Sequence, residues 1–214
     1  MEVIILTTTA IFDSVSLLLL LCSSYLYYIT LKYIPLLLLF ISYSGFCQDG
    51  YLPLNEQKQV YYSDVASPRK SKDEIYKSAQ NWVTHTFGNY GNAVTSEDIS
   101  SGKLMINSYI PVVTSLYDYI RFDLVIECKD NQYQVRIDKL DGISPIRTPV
   151  RISAKDNDVI VATELNIKTE INKKKRTEAE QLLKTEKADN ENINNAIYKL
   201  MAGLKEFMAA GSTH

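Results

Sequence analysis

The stretch Tyr119-Ile120-Arg121-Phe122-Asp123-Leu124-Val125-Ile126-Glu127-Cys128-Lys129 decides the fold of this chain. Ile120, Phe122, Leu124, Ile126 and Cys128 alternate with Arg121, Asp123, Val125, Glu127 and Lys129, so one apolar and one mainly polar row point to opposite faces of a strand. Asp130-Asn131 is a turn signal. Beyond it, Tyr133, Val135 and Ile137 alternate with Gln134, Arg136 and Asp138 across residues 132–140. The two stretches read as a β-hairpin with one buried face.

Toward the N-terminus, residues 103–111 and 93–98 are further strands, separated by Ile99-Ser100-Ser101-Gly102. Ser71-Lys72-Asp73-Glu74 has the capping-box pattern, in which the serine caps the Glu74 amide and Glu74 reaches back. The helix it starts carries Ile75, Ala79, Trp82, Val83 and Phe87 on one face and ends at Gly88-Asn89-Tyr90-Gly91. Residues 59–65, rich in strand formers, make the first strand.

On the C-terminal side, residues 142–149 read as a loop, and Val159 to Thr163 fits either a short strand or the beginning of a helix. Charged residues dominate 168–192, as a mobile connection or an exposed helix. Ile193, Ile197, Leu200, Met201, Leu204 and Phe207 then trace a second amphipathic helix. The expected fold is α+β, in the order β-α-β-β-β-β-α, with an antiparallel sheet and two helices packed on one face.

Several of these features carry a resemblance. The opening Tyr51-Leu52-Pro53-Leu54-Asn55-Glu56, the first strand, the Ser71 helix start with Trp82 and Phe87, the Gly102-Lys103 strand start and the long hairpin of residues 122–139 resemble a bacterial domain of unknown function with a TBP-like fold. The resemblance covers residues 50–140 and, more loosely, the final helix. Residues 143–190 stand outside it as a charged insertion in a domain of residues 48–209, with 210–214 as a tail. It implies a TBP-like architecture and an exported protein of a Gram-negative envelope. It brings no functional residues to carry over, and shape alone does not name an activity.

Export is also the reading of the first 47 residues, whose only acidic or basic side chains are Glu2, Asp13 and Lys32. Residues 14–31 just reach the length that spans a bilayer, about 20 residues. Residues 33–46, preceded by Lys32 and followed closely by Cys47, have the order of a secretory signal cleaved between Cys47 and Gln48. No methionine lies between Met1 and Met105, so one reading starts translation at position 31 through an alternative initiation codon. The other keeps residues 14–31 as a membrane helix that anchors the chain to the inner membrane. Lipidation of Cys47 is a third route, opposed by Phe46, because the residue before a lipidated cysteine is normally small. The expected location is the periplasm or the envelope, with membrane contact through the leader if it is uncleaved.

Without the leader, 22 basic residues face 23 acidic ones, a formal charge of −1. A near-neutral domain lacks the field that draws proteins to nucleic acid. Lys173-Lys174-Lys175-Arg176 is the local exception, either a solvated loop or helix start, or a contact for phosphate or lipid.

Little in the chain points to catalysis. The histidines are His85 and His214, and no glycine-rich phosphate loop, paired CxxC or zinc-protease helix occurs, so neither a cofactor nor a metal is expected. Cys128 falls in phase with the apolar row and reads as a buried hydrophobe. Asp123, Glu127 and Asp138 share one strand face, where a pair of carboxylates can act as acid and base in a hydrolase. Arg121, Lys129 and Arg136 are interleaved with them, as cross-strand ion pairing requires.

The leading functional reading is therefore a noncatalytic binding or interaction module. Its partner, an envelope protein or a small ligand, would meet the helix-free sheet face through Tyr109, Tyr119, Arg121 and Arg136. The alternatives are the hydrolase and a membrane-anchored structural protein.

Overall fold

In the computed structural model, which describes residues 49–210, the alternating stretch becomes the middle of a six-stranded antiparallel sheet. The leader, the expected cleavage between Cys47 and Gln48, and residues 211–214 lie outside the described residues. The elements are β1 (Tyr61–Ala66), α1 (Lys72–Phe87), α2 (Tyr90–Ala93), β2 (Val94–Asp98), β3 (Lys103–Pro111), β4 (Tyr119–Lys129), β5 (Gln132–Ser144), β6 (Arg147–Arg151), α3 (Ala154–Thr169) and α4 (Lys173–Ala210). The strand order is β1-β5-β4-β3-β2, and β6 pairs with the far end of β5. Among the described residues no helix is long and apolar enough to cross a membrane.

The period-two reading of β4 holds. Ile120, Phe122, Leu124, Ile126 and Cys128 are all buried, as are Tyr133, Val135 and Ile137 of β5. They meet Ile75, Ala79, Trp82 and Val83 of α1 and Ile193, Ile197, Met201 and Leu204 of α4 in one core. Phe87, Leu200 and Phe207 pack at its margin, half-covered. Both bonds of the Ser71 capping box are present, and Gly88 ends the helix.

Residues 142–149 depart from the expected loop, since β5 runs on to Ser144 and β6 begins at Arg147. The cause sits at Lys139, which has φ 52°. Arg121 pairs with Asp141 and Asp123 with Asp138, so β5 spends one residue more than β4 on this interval. Such a bulge reverses the alternation. Leu140 therefore turns inward after Ile137, and Asp141 turns to the opposite face.

The C-terminal third also differs. Val159 to Thr163 lies inside α3, which a second capping box starts: the Ser153 amide donates to Asp156 at 2.8 Å, and the Ser153 side chain caps in return. The charged stretch is the exposed-helix alternative, because α4 starts at Lys173 and continues for 38 residues. Two expected helices thus become four, one of them the single turn α2.

Three asparagines of these helices hold the segment that enters the domain. Asn157 accepts from the Leu52 amide at 2.8 Å and donates to the Leu52 carbonyl at 2.9 Å, as a neighbouring strand would. Asn190 donates to the Gly50 carbonyl and Asn194 to that of Tyr51, while the Tyr62 hydroxyl donates to Asn194 at 2.7 Å. Leu52 is buried, so its backbone has no water to fall back on. Asn157→Ala strands both Leu52 groups and is expected to cost about 2–3 kcal/mol, read as a lower urea midpoint. An unchanged midpoint would mean that water replaces the amide.

Cys128 is fully buried, and burial pushes its thiol up to about 12. The thiolate is the reactive form. At pH 8 an accessible cysteine is roughly a quarter ionised, against about one part in ten thousand here. Labelling by an aromatic disulfide reagent should therefore wait for unfolding, and prompt labelling in native buffer would contradict the burial. Because the folded value is raised, the stability tied to this neutral thiol is complete below about pH 9 and is lost as pH rises toward 12.

Candidate binding surface

Each strand turns its second row of side chains to the face opposite α1 and α4. Register places Tyr109 of β3, Arg121 of β4, Asp141 of β5 and Arg151 of β6 in one transverse row. The next row runs Asn107, Asp123, Asp138 and Tyr61, followed by Met105, Val125, Arg136 and Ser63. Val125 is 3% exposed although it belongs to this side, because it sits among longer neighbours.

Five of the seven ion pairs among the described residues lie on this face. Asp141 is held by two guanidiniums, Arg121 at 2.7 Å and Arg151 at 2.6 Å. Lys139 reaches Asp123 at 2.8 Å, and Lys103 lies 3.7 Å from Glu127. Arg136 Nε lies 3.2 Å from Asp138, but its N–H is not aimed at the carboxylate, so this contact is an ion pair without a hydrogen bond. Five cations and four carboxylates compensate one another, and the surface projects little net field.

The same pairing bears on acid–base chemistry. Partial burial pushes the Asp123 carboxyl up, but the Lys139 ammonium and the Asn107 amide, which donates at 2.7 Å, outweigh it and leave the group below its ordinary range. Asp123 is therefore held ionised. A general acid needs the reverse.

All four residues expected at a partner surface are on this face, but they do not form one cluster. The Tyr109 and Tyr119 rings meet edge to face at 5.7 Å, 62% and 41% exposed, beside Arg121. Arg136 is in register with Val125, four residues along β4 from Arg121 and so about 13 Å away. Asp141 and Arg151, which complete the row at the tyrosine end, were not legible as a site before the bulge and β6 were known. His85 is exposed on α1, its ring stacked obliquely on Phe207 at 5.9 Å.

A separate hollow of about 220 Å³ lies between the β3–β4 loop, α3 and α4, with Tyr117, Ile152, Asp156, Glu186 and Asp189 in its wall. Asp156 is occupied by the Ser153 cap, and Asp189 accepts from the amide and hydroxyl of Ser115. Burial raises the Glu186 carboxyl, which favours its neutral form. Among the described residues no group of acidic, cysteine or histidine side chains has the arrangement to hold a metal ion.

The stretch from β1 to the inward turn of β5 matches a family model over residues 61–141, described as "Domain of unknown function (DUF4468) with TBP-like fold". The likeness to DUF4468 covers this part of the chain alone. Tyr109, Tyr119, Arg121 and Arg136 all fall within the matched range, whereas β6, α3 and α4 follow it. The DUF4468 description assigns a fold and no activity, and the α+β, TBP-like architecture is the one described above. The chain is similar to the crystal structure of a TBP-like protein from Parabacteroides distasonis ATCC 8503, at 19% identity over 72% of this chain and 96% of that one, with a TM-score of 0.43. It is also similar to a DUF4468 family protein from Bacteroides ovatus ATCC 8483, at 14% identity over 76% of this chain and 93% of that one, with a TM-score of 0.44. No curated protein matches the chain.

Proposed function

We propose that this chain is a noncatalytic binding module of the cell envelope whose partner is a protein seated on the helix-free sheet face. The observation that carries this reading is the Tyr109–Tyr119 pair, two exposed aromatic rings beside an arginine whose charge is already compensated. Tyrosines of this kind bring large contact area at little entropic cost, and a surrounding of satisfied ion pairs gives a polar rim. The hydrolase reading is less well supported, because Asp123, Glu127 and Asp138 each face a cation. Envelope placement rests on the apolar leader of residues 1–47.

A photo-crosslinking amino acid at position 119, introduced in cells producing the full chain, should capture a discrete protein. The same group at Tyr198, exposed on α4, should not. With the captured protein purified, Tyr119→Ala and Arg136→Ala are each expected to weaken binding by about 1–2 kcal/mol while the urea midpoint stays in place. Unchanged affinity in both variants would reject this surface.

A further inference from the structure

Between Ile160 and Asn190 no residue is buried, so the outer parts of α3 and α4 stand away from the core as a helical hairpin. Lys173 is 17 residues from Asn190 along α4, about 26 Å of helix. At the far end the chain turns through Glu170, Ile171 and Asn172. Ile171 is 93% exposed, the most exposed large hydrophobic side chain described. Lys168, Lys173, Lys174, Lys175 and Arg176 flank it in the chain, all exposed and none in an ion pair. Five of the domain's 22 basic residues thus fall within nine positions.

This placement works against the helix itself. Asn172 accepts from the amides of Lys174 and Lys175 and so fixes the first turn of α4 on the four cations. Positive charge at that end opposes the helix dipole, by about 0.3–1 kcal/mol per charge. The first turn of α4 holds no acidic residue to offset it, Glu170 is turned to the Asn172 amide, and Glu178 and Glu180, one turn further along, make no ion pair with these cations. On the sheet face five cations are matched to carboxylates; here five without an ion pair flank an exposed isoleucine.

We propose that this tip, Lys168 with Ile171 and Lys173–Arg176, docks on an anionic phospholipid surface. Clustered cations meet the headgroups by charge complementarity, and Ile171 enters the boundary below them. Nucleic acid offers the same phosphate charge but no apolar layer for Ile171. The envelope placement proposed above, on which this inference rests in part, sets the chain beside a membrane. The tip is independent of the sheet-face reading, because it shares no residue with that surface.

The test uses residues 48–214, whose core lies wholly within the described part. Flotation is measured with vesicles of phosphatidylcholine alone and with vesicles of equal parts phosphatidylcholine and phosphatidylglycerol. The protein should float with the anionic vesicles only. Each basic residue near such a surface contributes roughly fivefold in affinity, so serine at all of 173–176 should lower binding by roughly a hundredfold or more. Ile171→Ser should lower it several-fold, while Tyr119→Ala leaves it unchanged. The fourfold variant should keep or slightly raise the urea midpoint, because dipole repulsion is relieved. Equal binding to both vesicles, no binding to the anionic ones, undiminished binding by the fourfold variant, displacement by inorganic phosphate at matched ionic strength, or capture of duplex DNA with vesicles left unbound would each overturn the proposal.

Discussion

Gly102→Ala is expected to lower stability by about 3–5 kcal/mol, a loss reserved for backbone strain or a core defect. Gly102 ends the β2–β3 turn at φ 72°, where an L side chain costs about 1–2 kcal/mol by itself. A methyl group at this position would lie 2.3 Å from the Cys128 carbonyl oxygen. That oxygen cannot retreat freely, because the Cys128 amide donates to the Gly102 carbonyl at 2.8 Å and the next pair, Lys103 and Glu127, is already in register. The readout is urea unfolding followed by Trp82, the one tryptophan, which is 3% exposed in the core. A midpoint within error of the parent would show that β3 and β4 do not approach as closely as described.

Phe122→Ala is expected to cost about 3–5 kcal/mol as well, by a different route. The side chain is fully buried at the centre of β4, with its ring 6.4 Å from that of Phe87, which in turn meets Trp82 at 5.6 Å. Sheet and α1 close on it from two sides, so the emptied space cannot collapse without moving an element. The denaturant slope should stay constant while the midpoint falls. Phe122→Leu should recover most of the loss, whereas equal losses for both would point to something other than a cavity.

These two positions differ in how far they could be read in advance. Phe122 lies in an alternating row, and β4 turned out as the spacing predicts, as did the Ser71 helix start and the apolar stripe of α4. Gly102 was readable as a strand start, but the carbonyl that forbids a side chain there comes from Cys128, distant in sequence. The four residues expected at a partner surface were placed on the helix-free face by phase alone. Their division into a tyrosine end and a separate Arg136 required the register of β3, β4 and β5.

Periodicity and caps were legible because they depend on neighbours within a few positions: a strand's faces alternate by twos, and a serine caps an amide three residues on. Thus the sequence by itself determined the hairpin, α1, the buried face of the sheet and the burial of Cys128. The bulge at Lys139 broke the alternation, and with it went β6 and the Arg121–Asp141–Arg151 row. Asn157, Asn190 and Asn194 looked like ordinary polar helix positions until the backbone of residues 50–52 came to lie against them. The Lys173–Arg176 cluster was visible as charge, but its position at the end of a projecting hairpin was not. Only the tertiary structure decided these, because each depends on what segments far apart in the chain bring within hydrogen-bonding distance or leave in solvent.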